Sequence, residues 1–136
     1  MSLSQFYFSQ FSILRHQKNQ KHKIWQKSSF GLFHANIASL NLHIDDLRDL
    51  LGQLDFSFDV IGISEHRIKK DQQPSNNIDL QGYSEFKFEP SETACGGTGF
   101  YINEKHDFIK RDDLKLNSAS DFEAMFIEIV IPDRKI

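Results

Sequence analysis

The chain has 136 residues, 39% of them hydrophobic and 12% aromatic with Phe dominant, a composition that supports one folded core and excludes a wholly disordered chain. Its net charge of −3 is unevenly spread: Arg15, Lys18, Lys21, Lys23 and Lys27 give residues 1–44 a charge of +5 with no acid among them, leaving −8 on residues 45–136. The single cysteine, Cys95, excludes an internal disulfide and suits a reducing compartment, no Cys/His spacing points to zinc, and no run reaches the roughly 18 apolar residues of a membrane span.

Residues 1–29 are rich in Ser, Gln, Lys and His, with Phe6, Tyr7, Phe8, Phe11 and Trp25 scattered among them. They read as a basic, disordered N-terminal arm outside the fold, either a solvated leader or an arm that touches nucleic acid; Phe6 to Leu14 lacks the basic start of a secretory signal. The folded part is then residues 30–136.

Within it, strand one is expected at about Leu32–Asn36. From Ile44 to Leu54, Ile44, Leu47, Leu50, Leu51 and Leu54 keep the rhythm of one buried helix face, with Asp45, Asp46, Arg48, Asp49 and Gln53 opposite. The acids are expected in the first turn, where the helix dipole favours them. Asp59–Ser64 comes next as a second strand, its Val60, Ile61 and Ile63 reading as buried on both faces. A strand, a helix of this length and a second apolar strand predict a parallel right-handed βαβ unit, whose strand ends open into a ligand crevice. Asn36 and Glu65 are placed to converge there.

The polar stretch from Lys69 to Gln81 is loop by composition. Tyr83–Phe88 and Thr98–Asn103 are expected as strands of a long-looped hairpin. In the loop between them, Gly96 and Gly97 permit positive φ or close backbone approach, read either as a flexible turn or as a loop lying against a phosphate. A short strand is expected around Phe108 and Ile109, and a last strand over Glu123–Ile131, with Met125, Ile127, Ile129 and Ile131 on one face and a mostly apolar opposite face, hence covered on both sides.

Four motifs in this order, His34-Ala35-Asn36-Ile37-Ala38-Ser39-Leu40, Phe58-Asp59-Val60-Ile61-Gly62-Ile63-Ser64-Glu65, Gly82-Tyr83 and Gly96-Gly97-Thr98-Gly99-Phe100-Tyr101-Ile102, resemble the endonuclease/exonuclease/phosphatase superfamily. They are most similar to the endonuclease domain of LINE-type (non-LTR) retrotransposons, over about residues 30–136. The resemblance implies an α/β (α+β) fold, a four-layer αββα sandwich incomplete at the C-terminus. It also implies a phosphoester hydrolase using Mg²⁺, with Mn²⁺ as the alternative. Glu65 matches the metal-binding glutamate, which suits a hard cation held by one or two carboxylates plus water and phosphate. Asn36 matches the asparagine that arranges metal and phosphate, an amide offering donor and acceptor without charge. His66 and Arg67 are either phosphate contacts or solvated loop.

The resemblance further implies DNA as substrate of the intact domain, a downstream reverse transcriptase in the parent, and a nuclear site of action on chromosomal DNA. The family's later tyrosine, Asp-x-Asn and Ser-Asp-His motifs are missing: Ser120-Asp121 is followed by Phe122, and no Asp-x-Asn comes after Glu65. The expectation is therefore an inactive part of a nicking enzyme. The alternatives are a phosphatase of the same superfamily and a non-catalytic nucleic-acid-binding relic.

Overall fold

A computed structural model describes residues 6–18, 23–74, 76–91, 93–114 and 123–130, with side chains from Phe30 onward. It is a mixed α/β protein. Strands β1 (Phe6–Lys18), β2 (Lys23–Asn36), β3 (Val60–Ser64), β4 (Lys87–Phe88) and β5 (Thr98–Ile102) form one sheet in the order β1-β2-β3-β5-β4, and β6 (Asp107–Lys110) and β7 (Ile127–Val130) form a second. Helix α1 (Leu40–Leu54) joins β2 to β3, which pair in parallel from Leu32↔Val60 to Asn36↔Ser64; the other strand pairs are antiparallel.

The strand-helix-strand expectation holds, with β2 and α1 starting earlier than expected and β3 one residue later. Ser39 caps α1, its hydroxyl accepting from Leu42 N at 3.4 Å, and Asp55 ends the helix in the left-handed conformation. Because α1 starts at Leu40, Asp45 and Asp46 fall beyond the first turn, and the expected dipole role passes to local pairs: His43 with Asp46 and Arg48 with Asp45, both at 2.9 Å. The buried stripe is Leu40, Ile44, Leu47 and Leu50; Leu54 is exposed. It packs on Phe33, Ala35, Ile61, Ile63 and Tyr101, alternate residues of β2, β3 and β5.

Upstream of Phe30 the backbone is strand where an arm was expected. β1 pairs with β2 from Phe6↔Ala35 to Lys18↔Lys23, and β2 runs unbroken across the anticipated boundary at residue 30. Aromatic and β-branched residues among the polar ones give this stretch strand propensity despite its charge.

Two other strands differ from expectation. β4 is only Lys87–Phe88, because Ser84 Oγ accepts the Ile102 N–H at 3.1 Å and a side chain replaces a rung of the ladder. β7 is not covered on both sides: Ile127 and Ile129 are half-buried, while Glu128 and Val130 face solvent. Among the described residues only β6 pairs with it, and a two-stranded sheet leaves one face open. Ile131 lies outside the described residues. No helix among them is long and apolar enough to cross a membrane.

Candidate functional site at the strand ends

Alternation along β2, β3 and β5 sends one set of residues to α1 and the other to the opposite, outer face. On that face the register aligns Asn36, Ser64 and Thr98 in one row across three adjacent strands, at the carboxyl ends of β2 and β3. All three are half-buried. The next row holds His34, Gly62 and Phe100, with Lys87 opposite Phe100 on β4. The third row is Leu32, Val60 and Ile102, the last two buried, so the outer face is apolar at one end and turns polar toward the carboxyl ends of β2 and β3. The Thr98 hydroxyl oxygen is buried and has no hydrogen-bond partner among the described residues.

Glu65 directly follows Ser64, so the two predicted site residues, Asn36 and Glu65, are brought to the ends of neighbouring parallel strands. Its backbone is tightly held: the Glu65 carbonyl accepts from Ser39 N at 2.9 Å and the His66 carbonyl from Leu40 N at 3.1 Å, coupling this turn to the start of α1. Glu65 (φ 54°) and Arg67 (φ 58°) both sit in the left-handed region, which costs a non-glycine residue about 1 kcal/mol and is tolerated where the surroundings enforce it. The Glu65 carboxylate is 38% exposed and its nearest cation is Arg67, at 3.7 Å.

His66 turns inward. It is 1% exposed, its Nδ1 accepts from Ile68 N at 2.8 Å, and its Nε2 donates to the Glu89 carbonyl at 2.7 Å. Phe86 and Phe88 meet its ring edge-on at 5.7 and 5.1 Å. Burial holds the imidazole below its ordinary pKa, which suits the neutral tautomer these bonds require. With both ring nitrogens committed to backbone, His66 organises the turn and has none left for a phosphate.

The glycine pair serves that histidine. Gly97 has φ 104°, and a side chain there would run into the His66 ring. Gly96 and Gly97 carbonyls accept from Arg67 N and His66 N, and Gly97 N donates to the Glu123 carboxylate. Glu123 was not singled out from the sequence; 26 residues separate the pair and no local pattern marks it. The loop therefore approaches protein groups, not an open phosphate cradle.

The opposite end of β3 carries a buried charge with a structural role. Asp59, 3% exposed, accepts from Gly31 N at 2.6 Å and pairs with His106 Nε2 at 2.6 Å and Lys105 Nζ at 2.9 Å. Burial pushes its carboxyl up, but these partners outweigh it and hold the group below the usual range.

No family model, curated protein or solved structure matches the chain. The site must be judged on its own chemistry. Among the described residues no group of three His, Cys, Asp or Glu stands together to cage a metal. The strand ends provide one part-exposed carboxylate, paired with Arg67 at 3.7 Å, and a half-buried amide at the end of the neighbouring strand; so small a donor set suits a cation that keeps most of its water and shares a phosphate, as Mg²⁺ does, better than a transition metal wanting several protein ligands.

Proposed function

We propose that the chain is the N-terminal part of an endonuclease/exonuclease/phosphatase-type domain, most similar to LINE-type retrotransposon endonucleases, whose parent nicks DNA with Mg²⁺. The observation that carries this reading is the placement of Asn36 and Glu65 at the carboxyl ends of two neighbouring parallel strands, with Ser64 and Thr98 in the same row as Asn36. In it, α1 and the five-stranded sheet are two layers of an αββα sandwich. The outer face, with its apolar row of Leu32, Val60 and Ile102, is the surface for a second sheet, to which β6 and β7 would belong.

The work is divided between two residues. Glu65 would hold the cation through its carboxylate, fixed by the Ser39 and Leu40 hydrogen bonds to its turn. Asn36 would orient a phosphate oxygen or a metal-bound water with its amide. When bound, Mg²⁺ supplies positive charge to the phosphoryl oxygens. The family motifs that handle protons do not occur in this sequence, so cleavage is assigned to the parent and metal and phosphate binding to this chain.

Mn²⁺ is the probe of choice, since its free ion is read directly by electron paramagnetic resonance. Titration should show one site in the wild type, weakened about tenfold or more in Glu65→Gln and less in Asn36→Ala. Equal Mn²⁺ binding by wild type and Glu65→Gln would overturn the assignment. In the parent, Glu65→Ala should abolish nicking of supercoiled plasmid.

A further inference from the structure

Two backbone amides just before β5 lie outside the strand ladder and are met by side chains. Gly96 N donates to Ser91 Oγ at 3.2 Å, and Gly97 N, on a buried residue, donates to the Glu123 carboxylate. The carbonyls of the same two glycines hold a different segment: Gly97 O accepts from His66 N at 3.3 Å and Gly96 O from Arg67 N at 3.0 Å. The glycine loop thus bridges Glu123 and the residues that follow Glu65. Gly96 carries a second sign of this arrangement. Its φ is not in the left-handed region, so its backbone does not require glycine, yet a Cβ there would run into both Glu123 carboxylate oxygens. The missing side chain is explained by the carboxylate it admits.

Glu65 is the residue with most to lose if that bridge loosens. It sits between Ser64, fixed in β3 by its pairing with Thr98, and His66, fixed by the loop. Left-handed φ values at Glu65 and Arg67 persist only where the surroundings impose them. Released, the turn would relax and carry the Glu65 carboxylate with it. The second sheet also reaches the turn through β6, where Lys110 Nζ pairs with Glu89 Oε1 at 2.6 Å and the Glu89 carbonyl takes the His66 Nε2 proton. Of the two contacts, the one from Glu123 is a charge-assisted bond to the loop backbone itself, the stronger kind of hydrogen bond.

We propose that Glu123 is a positioning residue for the candidate metal site: from the segment leading into β7 it holds the Gly96–Gly97 loop against His66 and so fixes the turn that presents Glu65. The proposal rests on the reading of Glu65 as a metal ligand. The carboxylate acts through the loop, not on the cation.

The test joins Mn²⁺ titration by electron paramagnetic resonance to amide hydrogen exchange, both on the full chain. Glu123→Ala should weaken Mn²⁺ binding about tenfold, the lower end of the cost of removing an outer partner of a metal ligand. It should also speed exchange of the Gly97, His66 and Arg67 amides by about tenfold or more while sparing those of Leu47 and Leu50 in α1. Glu123→Gln keeps an oxygen for Gly97 N and should retain most of the affinity. Gly96→Ala pushes the carboxylate aside without altering residue 123, so it should reproduce Glu123→Ala, and combining the two should add little. It also keeps the test available if Glu123→Ala does not fold. Glu123→Gln as weak as Glu123→Ala would make the carboxylate a direct partner of the cation and overturn the proposal. Faster exchange with undiminished Mn²⁺ binding would overturn it too, returning Glu123 to the scaffold. Equal Mn²⁺ binding by wild type and Glu65→Gln would sink the metal reading and the proposal with it, a failure told apart from the others because no Glu123 variant is needed to see it.

Discussion

The two faces of the five-stranded sheet are made from alternate residues of the same strands, yet the inner is apolar along its length while the outer turns polar toward the carboxyl ends of β2 and β3. The inner face meets α1 through Phe33, Ala35, Ile61, Ile63 and Tyr101, each 3% exposed or less. Its one polar tip is satisfied, the Tyr101 hydroxyl donating to the Ile78 carbonyl at 2.6 Å. The outer face carries Asn36, Ser64 and Thr98 in a half-buried row with one hydroxyl unmatched among the described residues, exposed His34 in the next, and buried Val60 and Ile102 beyond it. Stability is invested in the inner face and in the outer row of Val60 and Ile102, while accessible polar groups gather at the strand ends.

The sharpest break of that comparison is a cavity under the helix. Leu47, 0% exposed, sits in the centre of the inner face; Leu47→Ala should cost about 2–5 kcal/mol in urea unfolding. His34→Ala on the outer face should cost far less. Equal costs would mean that the faces are not distinct.

Next in size is the buried charge at the amino end of β3. Asp59→Asn should cost about 2–3 kcal/mol at neutral pH, less than a fully buried pair because Lys105 remains 56% exposed. The pH dependence has a definite sign. Since the folded carboxyl lies below its ordinary value, its contribution is complete above about pH 4, the unfolded value, and is lost as pH falls through the lower folded value. Wild type and Asp59→Asn should therefore converge in stability toward low pH; curves that stay parallel would deny Asp59 its role.

Gly97→Ala tests the turn that presents Glu65. The substitution adds strain at φ 104° and a collision with the His66 ring, a cost of about 1–3 kcal/mol. It should also weaken Mn²⁺ binding, because displacing His66 moves the residue before it. A loss of stability with undiminished Mn²⁺ binding would separate the loop from the site.

The scaffold's strand, helix and strand were legible because two periodicities, near 3.6 over Ile44–Leu54 and the continuous apolar run at Val60–Ile63, are local properties of the chain. Asn36 and Glu65 could be placed from the same signals, since both lie at the ends of the elements these define. The β1–β2 ribbon was hidden because Phe6, Tyr7 and Phe8 run together and the later apolar residues are interrupted by Ser, Gln and Lys, so no strict alternation marks it. Its pairing is a tertiary property. The role of His66 was equally invisible: a polar residue after a strand looks solvated until Glu89 and Gly97, more than 20 residues away, close over it. Glu123 is the same case.

The smallest expected effect bears most directly on the comparison. A buried hydroxyl without a partner costs about 1–3 kcal/mol of desolvation, and on a purely structural face the nearly isosteric valine would serve better. Thr98→Val should therefore raise stability by up to about 1 kcal/mol, part of the gain being lost to imperfect packing. If Thr98 belongs to the phosphate site beside Asn36 and Ser64, the same change should weaken inorganic phosphate binding in the presence of Mn²⁺ while leaving Mn²⁺ binding itself intact. Stabilisation with weakened phosphate binding is the trade-off characteristic of a functional residue. Stabilisation with no loss would return Thr98 to the scaffold and shrink the site to Asn36, Ser64 and Glu65. Destabilisation would mean that the hydroxyl has a partner in the folded protein, and that the outer face is better closed at this row than its half-buried side chains indicate.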